Sequence, residues 1–169
     1  MNEVVKFLNE NPVQYLATVG RDGKAKCRPF MFAGEKDGKL WFCTNNQKDV
    51  YKDMQANPNI EVSVSSPAYA WIRLNGKAVF ENNMPVKEMC IQNPIVKGQY
   101  QTADNPIFEV FYLADAHAVI ADFSGNPPKE YDLSAGISKY LRGKVESLTS
   151  SDSLRTVRAA ETVQFHYRR

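Results

Sequence analysis

Two Asp-Gly dipeptides, Asp22-Gly23 and Asp37-Gly38, constrain this chain more than any other feature in it. Each falls between alternating apolar and polar residues, and an Asp-Gly pair supplies the positive φ angles that a tight hairpin turn needs. Residues 13–19 (VQYLATV) therefore pair with residues 25–33, and the second turn, EKDGK, feeds a strand over 39–44. Successive hairpins describe an antiparallel meander, not a doubly wound sheet.

The rest of the chain extends that pattern. Val4, Val5, Phe7 and Leu8 lie at helical spacing, so a short helix covers 2–10 and stops at Asn11-Pro12. A second helix is expected over 47–56, ending before Asn57-Pro58. Strands are expected over 60–66 and 69–81, the latter bent or bulged at Gly76. A helix over 84–92 carries Pro85 in its first turn, where proline is tolerated. Residues 93–106 read as a loop, 107–113 and 116–123 as two strands, and SGNPPKEYDL as a terminal loop. About six or seven strands with few long helices point to a small closed or nearly closed barrel, which removes exposed sheet edges.

The 169 residues suit one domain with a real core. The longest uncharged apolar runs are strand-sized, too short for a transmembrane helix, and MNEVVKFLNE lacks the apolar centre of a signal peptide. A cytoplasmic protein is expected. Cys27, Cys43 and Cys90 are odd in number and widely spaced, unlike a disulfide framework or a zinc pattern. His117 and His166 cannot alone make a metal site. Residues 1–133 carry 14 Lys/Arg against 16 Asp/Glu, whereas residues 134–169 carry 7 against 3. A nucleic-acid argument could rest only on that basic tail, which reads as an appendage with one capped amphipathic helix, and nucleic-acid binding is not expected.

Three stretches carry candidate chemistry. TNNQKD at 44–49 joins a strand to a helix, with Asn46 as N-cap and Asp49 completing a capping-box-like pair. Lys48 then sits in the first helical turn, where the helix dipole is already positive. It is either a solvated lysine or, with the helix N–H groups, part of an anion site. KCRPFMF at 26–32 places Arg28 before Pro29 in a strand, and proline there marks an edge, a bulge or a ligand. Arginine suits bidentate contact with phosphate. If this strand neighbours 39–44, Arg28 and the 44–48 turn converge on one phosphate. In AWIRLNGKA at 70–78, Trp71 and Arg73 share one strand face, and Ile72 and Leu74 the other. That outer pair suits either an aromatic ligand with polar edges or a subunit interface. No Ser/His/Asp set, paired carboxylate motif or HExxH is present, so an enzymatic role would need a cofactor to carry the chemistry.

Taken together, FLNENPVQYLATVGRDGKAKCRPFMF, GKLWFCTNNQKDVYKDMQANPNIEVSV and WIRLNGKA resemble the pyridoxamine 5′-phosphate oxidase-like FMN-binding split-barrel family, and within it the small nitroimidazole-resistance-type proteins. The resemblance spans Asn2 to Leu133. It implies a mainly β fold with short α-helices, a six-stranded antiparallel split β-barrel. It also implies a homodimer with FMN at the subunit interface. The family's arginine maps to Arg28, with Pro29 and Phe30 lining the flavin. Its strand-end turn maps to Thr44, Asn45, Asn46 and Lys48, near the phosphate and ribityl chain. Trp71, and more weakly Arg73, occupy the place where the flavin is read from the neighbouring chain.

The likeness has departures. The oxidase branch has two consecutive basic residues at the helix start, but here Lys48 is followed by Asp49 and Val50, which implies weaker FMN binding. The C-terminal Arg/His segment that grips pyridoxal phosphate is not identifiable, so oxidation of pyridoxamine phosphate is not expected. The leading expectation is an FMN flavoprotein that reduces small electron-poor molecules, nitroaromatic or quinone-like. The alternative is a non-enzymatic flavin or haem binder acting as a stress or sensor protein.

Overall fold

The computed structural model describes residues 1–134; the expectation of a helical basic tail falls outside them. The elements are α1 (Asn2–Glu10), β1 (Gln14–Val19), β2 (Ala25–Phe30), β3 (Phe32–Lys36), β4 (Lys39–Asn45), α2 (Asp49–Ala56), β5 (Asn59–Ser65) and β6 (Trp71–Phe80). After these come α3 (Met84–Ile91), α4 (Pro94–Tyr100), β7 (Phe108–Ala121) and β8 (Lys129–Asp132). The strands form one antiparallel sheet in the order β2-β1-β5-β6-β7-β4-β3, with β8 on β7. The seven runs expected as strands become eight, because 25–33 divides, the terminal loop contains β8, and the last two expected strands are one.

Both Asp-Gly hairpins are present, with Gly23 at φ 75° and Asp37 and Gly38 at φ 55° and 73°. The expected strand over 25–33 is broken at Met31, which separates β2 from β3. At this break the chain leaves β1 and joins β4 at the far edge of the sheet. The wholly buried Gln14 fills the join. Its Oε1 accepts from the Phe32 N–H at 2.8 Å, and its Nε2 donates to the Leu8 and Asn11 carbonyls. A backbone donor stranded between two strands is thereby satisfied.

Inward residues of the sheet build the core. Phe42 and Phe111 stack with centroids 5.5 Å apart, Phe32 meets Phe42 edge-on, and Phe30 leans on both Phe42 and Phe111. Val4 and Leu8 of α1 are fully buried in the same cluster. Each such side chain contributes about 1.5–3 kcal/mol of burial.

A second cluster lies outside β4 and β7, where Val86, Cys90, Val96 and Tyr100 of α3 and α4 cover Trp41, Phe108 and Val110. α4 corrects the loop expected over 93–106. Asn-Pro ends α1 and α2, but at 93–94 it starts a helix: Asn93 Oδ1 accepts from the Ile95 N–H at 2.9 Å, and Pro94 opens the first turn.

The two strands expected over 107–113 and 116–123 are one, β7. Its buried phase switches from Phe111 and Leu113 to Ala116 and Ala118, which reads in sequence as an interruption. Opposite Gly76 the register against β6 slips by one residue, and Asp115 takes φ 50°. The bulge stands where Gly76 indicated, with the extra residue on β7. A Cβ at Gly76 would come within 2.9 Å of the Ala114 carbonyl. Among the described residues no helix is long and apolar enough to cross a membrane.

Candidate functional site

β2 is an edge strand, which accommodates Pro29. It alternates: Lys26, Arg28 and Phe30 turn inward and are partly buried, while Cys27 and Pro29 are exposed. Arg28 does not reach the 44–48 turn through a neighbouring strand, as expected from sequence, because β2 pairs only with β1 and β4 pairs with β3 and β7. Barrel curvature brings them together instead. Phe30 and Phe42 touch across the interior, and β2 and β4 run in opposite directions. Two residues back from Phe30 and two residues on from Phe42 therefore lead to the same end of the barrel, with Arg28 and Thr44 there on inward faces.

At that end a cleft of about 300 Å³ is lined by Arg21, Asp22, Lys26, Arg28, Asp49 and Asp53. Its cations differ in their partners. Arg21 pairs with Asp49 at 2.7 Å and with Asp53 at 3.1 Å, and Lys26 pairs with Asp22 at 2.9 Å. Arg28 Nη1 donates to neutral oxygens, Thr18 Oγ1 at 2.7 Å and the Leu16 carbonyl at 3.2 Å. Among the described residues no carboxylate lies within ion-pair distance of it. Asp53, only 4 % exposed, accepts from the backbone N–H and the Nε of Arg21. The backbone bond, the Arg21 side chain and the nearby charge of Arg28 hold its carboxyl below the usual range.

The 44–48 turn is built differently from its sequence reading. The helix begins at Asp49, and Lys48 is its N-cap residue without a side-chain cap bond. The Asn46–Asp49 capping pair is absent because Asn46 turns away, donating to the Pro106 carbonyl and to Glu109. Asn45 takes over, its Oδ1 accepting from the N–H groups of Gln47 and Lys48 at 3.1 Å each. Lys48 is exposed. Thr44 is 2 % exposed, and its Oγ1 is buried without a hydrogen-bond partner. Such a group is rare in a folded chain and marks a place where a partner is missing.

Trp71 and Arg73 share the outer face of β6, with Ile72 and Leu74 buried beneath, as the alternation indicated. Trp71 packs on Phe123 with centroids 5.1 Å apart. Arg73 forms a two-point pair with Glu61 at 2.6 and 3.0 Å. Within one chain the wall of the barrel separates this pair from Arg28. Pro29, Trp71 and Arg73 thus belong to the outer surface, and Arg28, Phe30 and Thr44 to the interior.

The Arg28 guanidinium lines the cleft and suits a phosphate-bearing group such as FMN; Thr44, at the same end of the barrel, is not among the residues lining it. Asp49 and Asp53 add negative charge at the same end, which Arg21 offsets only in part. Sequence reading missed Arg21, Lys26 and Asp53. RDGK reads only as a turn, although a cation on each flank of a hairpin beside a helix start is a usable signal. Nothing in the helical pattern distinguishes Asp53 from a solvated carboxylate.

Residues 1–119 match the family described as pyridoxamine 5′-phosphate oxidase. Among solved structures, a NimC/NimA family protein from Clostridium acetobutylicum is 31 % identical with a TM-score of 0.70, covering 78 % of this chain and 90 % of that one. A pyridoxamine 5′-phosphate oxidase-related, FMN-binding protein from Nostoc punctiforme is 16 % identical with a TM-score of 0.59, over 76 % of this chain and 86 % of that one. A haem-binding protein from Mycobacterium smegmatis is 15 % identical with a TM-score of 0.61, over 77 % of this chain and 56 % of that one; the last two likenesses concern the fold alone. No curated protein matches the chain.

Proposed function

Given that the chain belongs to the pyridoxamine 5′-phosphate oxidase family, we propose that it is an FMN-binding flavoprotein that reduces small electron-poor molecules, nitroaromatic or quinone-like. The observation that carries this reading is Arg28, a partly buried guanidinium at a cleft, bonded among the described residues to neutral oxygens. Its charge is left for an anion, and a phosphate is the anion that an inward arginine grips best. Thr44 Oγ1 would gain the hydrogen bond it lacks, and Lys48, exposed at the start of α2, would add charge. Phe30 would pack beside the ring. Asp49 and Asp53 would make the binding weaker than in relatives with paired basic residues at this helix start.

When bound, the flavin supplies reversible electron transfer, and the protein supplies binding, orientation and exclusion of water. The working form in this proposal is a cytoplasmic homodimer. Trp71 and Phe123 touch on the outer surface, with Phe123 82 % exposed, and a second copy would bring Trp71 to the flavin edge. The test is purification and titration. The expected protein is yellow or quenches FMN fluorescence in a saturable way, and then turns over a nitro compound with reduced nicotinamide. A colourless chain with no saturable quenching ends the flavin reading; a yellow chain without turnover leaves a binder and ends the reductase reading.

A further inference from the structure

A cleft apart from the one at Arg28 opens between α3 and the segment that enters β7. It holds about 350 Å³, within the range of small-molecule sites, and its lining includes Met84, Lys87, Asp104, Pro106 and Glu109. The two clefts share no lining residue. Lys87 is 7 % exposed, and its Nζ lies 5.9 Å from the centroid of the Phe108 ring, the outer limit of a cation–π contact. Among the described residues it has no ion pair and no side-chain hydrogen bond.

A buried ammonium loses hydration, and lysine is almost never this buried unless a paired group replaces the lost water. Lys39 shows the ordinary arrangement: its Nζ lies 4.0 Å from the Tyr112 ring centroid and also pairs with Glu81 at 2.9 Å. Lys87 has only the ring, although the carboxylates of Asp104 and Glu109 line the same cleft. Glu109 is committed on one side. Its Oε1 accepts from Asn46 Nδ2 at 3.1 Å, and the same Nδ2 donates to the Pro106 carbonyl at 3.0 Å. Among the described residues, Glu109 Oε2 accepts no hydrogen bond and Asp104 has no ion pair.

We propose that this cleft binds the zwitterionic head of a small aminocarboxylate, a free α-amino acid, with its carboxylate on Lys87 and its ammonium on Glu109. One ammonium and two carboxylates face a common space without bridging it. A simple anion would satisfy Lys87 but meet both carboxylates, and a simple cation would satisfy the carboxylates but meet Lys87. A molecule carrying both charges satisfies each side, and a desolvated setting strengthens both contacts. Met84, 40 % exposed, offers an apolar wall for a short hydrocarbon side chain. The proposal stands independently of the flavin reading, which concerns the cleft at Arg28.

The experiment titrates purified full-length protein with L-leucine in a calorimeter. Two analogues are compared on the wild type: leucinamide, which lacks the carboxylate, and 4-methylpentanoate, which lacks the ammonium. Leucine should bind saturably, and each analogue about tenfold more weakly or worse. Lys87→Met and Glu109→Gln should each lower leucine affinity by about tenfold or more. Lys97→Met, at an exposed lysine of α4 outside the cleft, should change it by less than about twofold. The urea midpoint of Lys87→Met should be no lower than that of the parent, because the change removes a buried charge without a partner. The analogue comparison keeps the test independent of whether any variant folds. No saturable heat up to about 10 mM leucine, an analogue that binds as tightly as leucine, full affinity in Lys87→Met, or a Lys87→Met chain less stable than the parent overturns the proposal.

Discussion

Two arginines on one barrel, Arg28 and Arg73, carry the same charge and meet opposite fates. Arg28 points inward, partly buried, and spends its hydrogen bonds on Thr18 and a backbone carbonyl. Arg73 points outward and is matched at two points by Glu61 on the adjacent strand. Desolvation raises the strength of any charge left unpaired, whereas an exposed pair is weakened by water and salt. In the proposed function Arg28 would hold the ligand because, among the described residues, no carboxylate pairs with it, and residue type alone would not decide this.

The largest effect should come from the outer face as a whole. Replacing Trp71 and Phe123 together by glutamate is expected to take the mass by light scattering from twice the 19.1 kDa of the chain to that of one chain. FMN binding should be lost with it. A double variant that stays dimeric would separate the apolar patch from subunit contact.

Next, Arg28→Ala should weaken FMN binding by about 10–100-fold, the range for losing a charged hydrogen-bonded contact. Fluorescence titration reads it, and Arg28→Lys should recover part of the loss. Thr44→Val should weaken FMN binding by about fivefold. It should leave the flavin-free protein no less stable in urea, since a buried hydroxyl without a partner is removed. Loss of stability in the flavin-free variant would show that Thr44 Oγ1 already has a partner in solution.

Asp53 gives a pH test of the same region. Its folded pKa is depressed, so its contribution to stability is present above the ordinary carboxylate pKa of about 3.9 and is lost as pH falls through the folded value. Urea midpoints measured below pH 4 should fall less steeply for Asp53→Asn than for the parent. The smallest effect belongs to Arg73→Ala, which should leave FMN affinity within about twofold. A loss matching that of Arg28→Ala would erase the contrast between the faces.

Local signals were legible where they act within one turn or one strand. The two Asp-Gly hairpins, the α1 stripe and the face shared by Trp71 and Arg73 come from backbone geometry alone. Asn93-Pro94 was not legible, because the same dipeptide stops a helix at Asn11 and Asn57 and starts one at Asn93. The difference lies in packing, since Val96 and Tyr100 have an apolar surface on β4 and β7 to cover. The Asn46 cap failed for a related reason. Several side chains could cap α2, and contacts to Pro106 and Glu109, distant in sequence, drew Asn46 away.

The sequence by itself determined the two Asp-Gly hairpins, the irregularity at Gly76 and the face shared by Trp71 and Arg73, all consequences of steric preference and period-two alternation. Only the tertiary structure decided that β2 and β4 face each other through the barrel interior, that Arg21 and not Lys48 engages Asp49 and Asp53, and that Thr44 is buried without a partner. Those outcomes depend on which charges end up adjacent after strands far apart in the chain have curved together, and no local pattern encodes that adjacency.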